Sequence, residues 1–494
     1  MLFRSLADPL AVTDPAFVLT LGATGAILVV VPVVGQEQQQ GQERREEKAV
    51  TQVVRRTVRQ MFTASAAAEA VLFPIGAFVF SRITFAGLAL NFLAIPLMAV
   101  AQIAGMVVVP LAAVSTHAAA VAGFAAHLGA AGLVASADLL RFAPFLAYRI
   151  APPSIAAVAT YYAAVALWWA LWRRRAAITG SRESSRERWA RRASAAAAAI
   201  AALWILIDPH TLIAGYGDGR LHVTAIDVGQ GDAIFVVFPH GSTLLVDAGG
   251  LSSSSAFDVG DRVVAPVIRD AGFRRLDLMA LTHGDPDHVG GAAAIVEEFR
   301  PREVWEGIPV PRSEALARLR TLAQACGARW ANVYAGDHVL VDEVDVIARH
   351  PVPADWERQK VRNDDSIVLE LRWRDVSIVL TGDAGKAVEH DIAAAFPPAR
   401  LRVVKIPHHG SLTSSSPEFV AALHPQIAIV SAGRTNHFGH PVPEVLDRYK
   451  AIGGEVFRTD RDGAVTVTTD GHSLHVETFA AQTGPRRHED TKEK

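Results

Sequence analysis

Between Leu281 and Gly291 the chain reads Leu-Thr-His-Gly-Asp-Pro-Asp-His-Val-Gly-Gly, which puts His283, Asp285, Asp287 and His288 within six positions. Imidazole nitrogens and carboxylate oxygens at this density in one loop can converge on one or two divalent metals. A solvated turn whose Asp caps the next helix would explain a lone Asp-x-Asp. It does not explain why the pattern recurs at other strand ends. Leu244-Leu245-Val246 runs into Asp247 upstream, Val379-Leu380-Thr381-Gly382 into Asp383 downstream, and Val403-Val404-Lys405-Ile406-Pro407 into His408, His409, Gly410 and Ser411. Ligand-type side chains at successive strand ends suit metal-assisted hydrolysis. Ser411 and Ser414–Ser416 add hydroxyls and amides that suit a phosphate.

The elements that must position these residues begin near Leu221. Short β-branched runs, His222–Asp227, Ala233–Phe238 and Ser242–Asp247, alternate with Gly turns and predict a strand meander. The first turn, Asp227-Val228-Gly229-Gln230-Gly231-Asp232, carries glycines that would let backbone approach the site or a phosphate closely; a plain hairpin turn is the alternative. After the motif loop, Ala292–Phe299 predicts a helix, so the dense cluster sits between a strand and a helix N-terminus.

The motif resembles the His-x-His-x-Asp-His signature of the metallo-β-lactamase fold, with Asp285 where the second His usually stands. In that form, Thr-His-x-Asp-x-Asp-His-x-Gly-Gly, it is similar to the C-terminal domain of ComEC-type competence proteins. The resemblance implies an αββα sandwich over 216–482 with metal ligands His283, Asp285, Asp287, His288, Asp383 as the bridging carboxylate, and His408 as the last ligand. It makes Asp247 an orienting residue behind the metal loop, and it leaves His409 as a supporting or substrate-contacting group. Asp227 belongs to the family's opening motif. The fold generally supplies one more His. Arg362-Asn363-Asp364-Asp365 stands near that point, so Asn363 or Asp364 could approach the metal, with His350 a weaker candidate. The segment Arg434-Thr435-Asn436-His437-Phe438-Gly439-His440-Pro441 resembles the family's closing loop. Arg434, Asn436 and His440 could hold the scissile phosphate or protonate the leaving oxygen; a structural turn is the other reading. The cofactor implied is a pair of divalent ions, Zn or Mn with Mg open, because oxygen ligands favour harder ions.

The first half is a different kind of chain. Half of all 494 residues are hydrophobic, and the first 215 hold long uncharged runs. Phe17–Val34, segments near 63–81, 84–111 and 113–135, Ile155–Trp172 and Ala193–Ile213 predict about six membrane helices. Ser136–Pro153 reads as an interfacial amphipathic helix. Asn91 and Pro96 interrupt one span; Asn91 needs a partner in lipid, whether for helix packing or for lining a pore. Arg173–Arg175 and Arg182–Arg192 form the densest positive charge, which the positive-inside rule places in the cytoplasm. The last span then crosses outward, so the lactamase-like domain is expected outside the cytoplasm of a multi-pass inner-membrane protein. The segments around Asp14–Thr20 and Gly87–Pro96 resemble the interior of the ComEC membrane domain, so 1–215 is expected to be N-terminally truncated relative to the family. The tail, 483–494, is polar and predicted disordered.

A formal net charge of −2 argues against a globally basic nucleic-acid binder, and the one cysteine, Cys326, excludes an intramolecular disulfide framework. The resemblance implies DNA uptake: a single strand crossing the inner membrane, other competence proteins as partners, and a metal-dependent nuclease that degrades the strand left outside. A hydrolase of another phosphoester or small substrate, or a catalytically silent scaffold for a DNA channel, are the alternatives.

Overall fold

The computed structural model describes residues 14–42, 49–177, 184–250 and 257–480. The tail and part of the Arg182–Arg192 run lie outside the described residues. The chain divides into two compact units, 1–208 and 209–494.

The first unit is helical: α1 (Pro15–Gln42), α2 (Ala49–Phe80), α3 (Gly87–Ala112), α4 (Thr116–Asp138), α5 (Ile155–Ala177) and α6 (Ser185–Ile207). Five stretches among the described residues are long and apolar enough to cross a membrane, Arg55–Phe80, Gly87–Ala112, Thr116–Phe142, Ile155–Arg175 and Ser185–Ile207, and Ala16–Val30 is a shorter apolar helix. The last span therefore starts earlier than Ala193, because Ser184 and Glu187 form a capping box that nucleates the helix inside the basic run. The segment after α4 is not an amphipathic helix. It makes two 3₁₀ turns and then β2 (Ala147–Arg149), which pairs antiparallel with β1 (Arg82–Thr84). Asn91 has the partner it needs: its Nδ2 donates to Ser65 Oγ at 3.0 Å. This joins α2 to α3 and favours the packing reading over the pore-lining one. Tyr161 and Tyr162 likewise donate to the carbonyls of Ala70 and Val71, at 2.9 and 2.6 Å.

The second unit is built on two sheets. One has eight strands in the order β17 (Leu474–Thr478), β16 (Val465–Thr469), β3 (Leu221–Ala225), β4 (Ile234–Val237), β5 (Thr243–Val246), β6 (Leu278–Leu281), β7 (Glu303–Glu306), β8 (Arg329–Asn332), and the other has seven in the order β15 (Glu455–Arg458), β14 (Ile427–Val430), β13 (Leu401–Lys405), β12 (Val376–Leu380), β11 (Val368–Trp373), β10 (Val344–His350), β9 (His338–Val341). The strands that matter for the site are β4 (Ile234–Val237), β5 (Thr243–Val246), β6 (Leu278–Leu281), β11 (Val368–Trp373), β12 (Val376–Leu380), β13 (Leu401–Lys405) and β14 (Ile427–Val430). In β5, β12 and β14 every residue is buried, as strands covered on both faces require. The two sheets pack face to face through Val223, Val236 and Val246 from one and Val346, Leu369, Ile378, Val403 and Ile429 from the other. Helices cover both outer faces, including Ala292–Phe299 on one and Pro417–Leu423 on the other. The layers are αββα. Strands β5 and β6 run parallel, as do β12, β13 and β14. Their C-terminal ends meet at one rim, where Ile367 N donates across to Thr282 O at 2.9 Å. Polar side chains just past parallel strand ends collect there, which is where open α/β sheets bind ligands.

Candidate metal centre

Asp247 follows β5 in a left-handed conformation, φ 59°, an uncommon state outside glycine. This turns its carboxylate under the neighbouring strand end. Oδ1 accepts from Thr282 N at 2.8 Å, and Oδ2 accepts from Thr282 Oγ1 at 2.7 Å and from His288 Nδ1 at 2.8 Å. With Nδ1 donating, the lone pair of neutral His288 is on Nε2, which lies 3.4 Å from Asp383 Oδ1. The ring of His283 packs 4.2 Å from that of His288, and its Nδ1 lies 3.3 Å from Ser366 Oγ. The same hydroxyl accepts from Asp383 N at 3.2 Å, so Ser366 ties the first loop to the Asp383 loop.

The His pair after β13 is held in a tight turn in which both residues are left-handed, His408 at φ 50° and His409 at φ 51°. The turn separates them. His409 is buried, donates Nδ1 to Ser431 O at 3.1 Å, and aims Nε2 at Asp383 Oδ2 and Asp287 Oδ2, at 3.4 and 3.6 Å. His408 has both ring nitrogens engaged, Nδ1 with Thr413 Oγ1 at 3.0 Å and Nε2 with Asn363 Nδ2 at 3.1 Å, and lies 3.9 Å from Asp383. His409 thus lies nearer to Asp383 than His408, the residue to which the resemblance gave the last ligand place.

Ligand atoms of His283, His288 and Asp383 lie within 4.8 Å of one another, as do those of Asp287, His288 and His409. Asp285 stands at the rim, its Oδ2 3.3 Å from His283 Nε2. The other expected residues make local contacts. Asp227 accepts from Gly229 N at 3.3 Å, and Asp364 accepts from Gly385 N at 3.1 Å. His350 donates Nδ1 to Ser366 O at 2.9 Å, and Ser411 Oγ pairs with Thr413 Oγ1 at 3.0 Å. Asn436 braces its own loop: Nδ2 donates to the carbonyls of Gly433 and His440 at 2.7 Å each. His440 packs its ring 6.0 Å from that of His408, and its Nδ1 is buried with no hydrogen-bond partner.

Two residues of the cluster have no role in the sequence reading. Lys405 and Asp232, each 2% exposed in the side chain, form an ion pair; Lys405 Nζ also donates to Gly382 O at 2.9 Å and lies 3.6 Å from Asp383 Oδ1. The signal for Lys405 is strand alternation: it shares parity with Val403, which faces the space between the sheets. The signal for Asp232 is Gly231, at φ 117°. A Cβ there would sit 2.0 Å from Asp287 O, so only glycine lets the Asp232 loop close on the motif loop.

The electrostatics match a cation site. Burial raises the Asp287 carboxyl, but the His409 ring beside it and the charges of His288 and His409 bring it down to about 2. Burial lowers His409, but Asp383 and then Asp232 push it up to about 9. Burial also lowers His288, and Asp383 and Asp247 raise it well above the usual imidazole range. Among the described residues, His283 Nε2, His288 Nε2, His409 Nε2, Asp383 Oδ1 and Asp232 Oδ1 are buried with no hydrogen-bond partner. Each such group costs roughly 1–3 kcal/mol if left unmet. Three ring nitrogens and two carboxylate oxygens left unmet in overlapping groups fit a site for divalent metal.

Residues 1–175 match the competence protein family, and residues 226–434 match the metallo-β-lactamase superfamily. The chain is 32% identical over 256 residues to ComE operon protein 3 of Bacillus subtilis (strain 168), across 49% of this chain and 32% of that protein. It is 31% identical over 245 residues to competence protein ComA of Neisseria gonorrhoeae, across 49% of this chain and 31% of the relative. These alignments span about a third of the length of the relatives. Among solved structures, the metallo-β-lactamase fold protein YhfI from Bacillus subtilis aligns with 48% of this chain and 96% of its own, at 12% identity and a TM-score of 0.33. The chain thus joins a region similar to competence proteins to a region similar to the metallo-β-lactamase superfamily, the pairing that a ComEC-type protein resembling these relatives would have.

Proposed function

We propose that the 209–494 unit is a dinuclear metal-dependent phosphodiesterase acting on DNA, carried by a membrane unit that takes part in uptake of a single strand. The observation that carries this reading is the set of unpartnered ring nitrogens and carboxylate oxygens at the shared rim of the two sheets. His283, His288 and Asp383 would hold one ion, with Asp285 near by, and Asp287 and His409, next to Asp383, would hold the other. Bound metals would supply Lewis-acid charge and an activated water. The protein's own part is to hold this geometry. Asp247 fixes the His288 tautomer, Ser431 fixes His409, and Lys405 balances the Asp232 and Asp383 carboxylates from below. His440 faces the cluster from the rim with a free ring nitrogen, and burial together with the His409 charge lowers its pKa. It is therefore neutral near pH 7, and its position suits a group that orients the phosphate or passes a proton to the leaving oxygen.

In this reading the chain sits in the inner membrane. Arg173–Arg175 and the first turn of α6 face the cytoplasm, which puts the metal unit outside. There it would degrade the strand that does not enter, alongside other competence proteins. The test is metal-dependent cleavage of an oligonucleotide by the full chain. Asp287→Ala and His288→Ala are each expected to abolish cleavage and lower metal content while the circular dichroism spectrum is kept. Full activity and full metal content in both variants would remove the cluster from the chemistry. Orientation is tested apart, by a reporter fused to the C-terminus; activity confined to the cytoplasm would overturn the outward placement.

A further inference from the structure

Two exposed aromatic rings stand on loops tied to the cluster by hydrogen-bonded neighbours. Phe438 is 68% exposed. Its loop is braced by Asn436, and its ring lies 6.1 Å from the His440 ring at an interplanar angle of 9°. Trp356 is 58% exposed, with the Arg358 guanidinium 4.5 Å over its face. Arg358 in turn clamps both oxygens of Asp365, at 2.8 and 2.9 Å. Asp365 ends the turn whose Asn363 contacts His408, and the next residue, Ser366, contacts His283 and the Asp383 amide. One ring thus hangs from the His408–His440 side of the cluster and the other from the His283 side. Neither gains packing from its exposed face, yet the loops beneath them are fixed by specific hydrogen bonds.

We propose that Phe438 and Trp356 are stacking platforms for nucleobases, and that the site takes an unpaired strand whose phosphodiester lies at the cluster while flanking bases rest on the two rings. This rests on the phosphodiesterase reading and adds the form of the substrate. Every base has a π face, so stacking on aromatic side chains binds a strand without reading its sequence. In a duplex those faces are already covered by neighbouring bases. A small phosphodiester would engage neither ring.

The test compares a fluorescein-labelled oligothymidylate with an abasic strand of equal length, by anisotropy, using the full chain in detergent with EDTA present. The wild type is expected to bind the base-bearing strand about tenfold more tightly. Phe438→Ala and Trp356→Ala should each cut that ratio several-fold, and Phe438→Tyr should keep it. Equal affinity of the wild type for the two strands, or an undiminished ratio in both alanine variants, would overturn the proposal. Cleavage with Mn²⁺ is read on the same strands. Equal cleavage of both sinks the platforms and leaves the phosphodiesterase reading standing; cleavage of neither removes both.

Discussion

Asp247 Oδ2 lies 2.8 Å from His288 Nδ1, and both side chains are fully buried. One residue follows a strand and the other lies in a short helical turn, and the bond between them decides which nitrogen of His288 faces the cluster. Partners of this kind typically contribute 10- to 100-fold in metal affinity. Asp247→Asn keeps the shape but loses the negative charge that fixes the donor. Metal affinity measured by titration calorimetry is expected to fall by about tenfold or more, with a smaller effect on thermal stability. Unchanged affinity would show that Thr282 alone holds the loop.

His408 and His409 are adjacent, but only His409 presents a free ring nitrogen to Asp287 and Asp383. His409→Ala is therefore expected to lose one ion per chain by elemental analysis and to reduce cleavage at least about a hundredfold. His408→Ala should retain both ions. The reverse pattern would restore His408 as the ligand.

Asp285 supplies oxygen where an imidazole is usual, 3.3 Å from His283 Nε2. Oxygen ligands favour harder ions, while intrinsic affinity still ranks Zn²⁺ above Mn²⁺. Mn²⁺ is expected to support faster cleavage than Zn²⁺, and Asp285→His should narrow or invert that order. Identical metal profiles for the two proteins would take Asp285 out of contact with metal.

Protons compete with metal for this site. In the metal-free chain His409 is held up to about 9 by Asp383 and Asp232 against the cost of burial. A raised folded-state pKa gives stability that is complete below the unfolded value near ~6.5 and is lost as pH climbs through about 9. Asp287, brought down to about 2, gives stability above its unfolded value near ~3.9 that is lost as pH falls through about 2. The thermal midpoint of the EDTA-treated chain should thus decline between roughly pH 6.5 and 9. Metal affinity should rise over the same range, with proton release on binding detectable in buffers of different ionisation enthalpy. A flat midpoint and proton-independent binding would show that the His409 ring is neutral before metal arrives.

The sequence by itself determined the order of elements and the chemistry at their ends. Short apolar runs closing in Asp247, Asp383 and the His pair define strands, and a dense His/Asp loop before a helix defines a ligand site, because both patterns are local. Long apolar runs marked the membrane helices for the same reason, although the capping box at Ser184 moved the start of the last one. The choice between neighbours was not local. Which of His408 and His409 turns inward depends on two successive left-handed residues and on Asn363 and Thr413, which occupy the other ring. The role of Lys405 depends on Asp232, from a loop of the opposite sheet that closes only because Gly231 lacks a Cβ. A buried ammonium is tolerable only beside its counter-charge, and the fold alone brings that counter-charge to it.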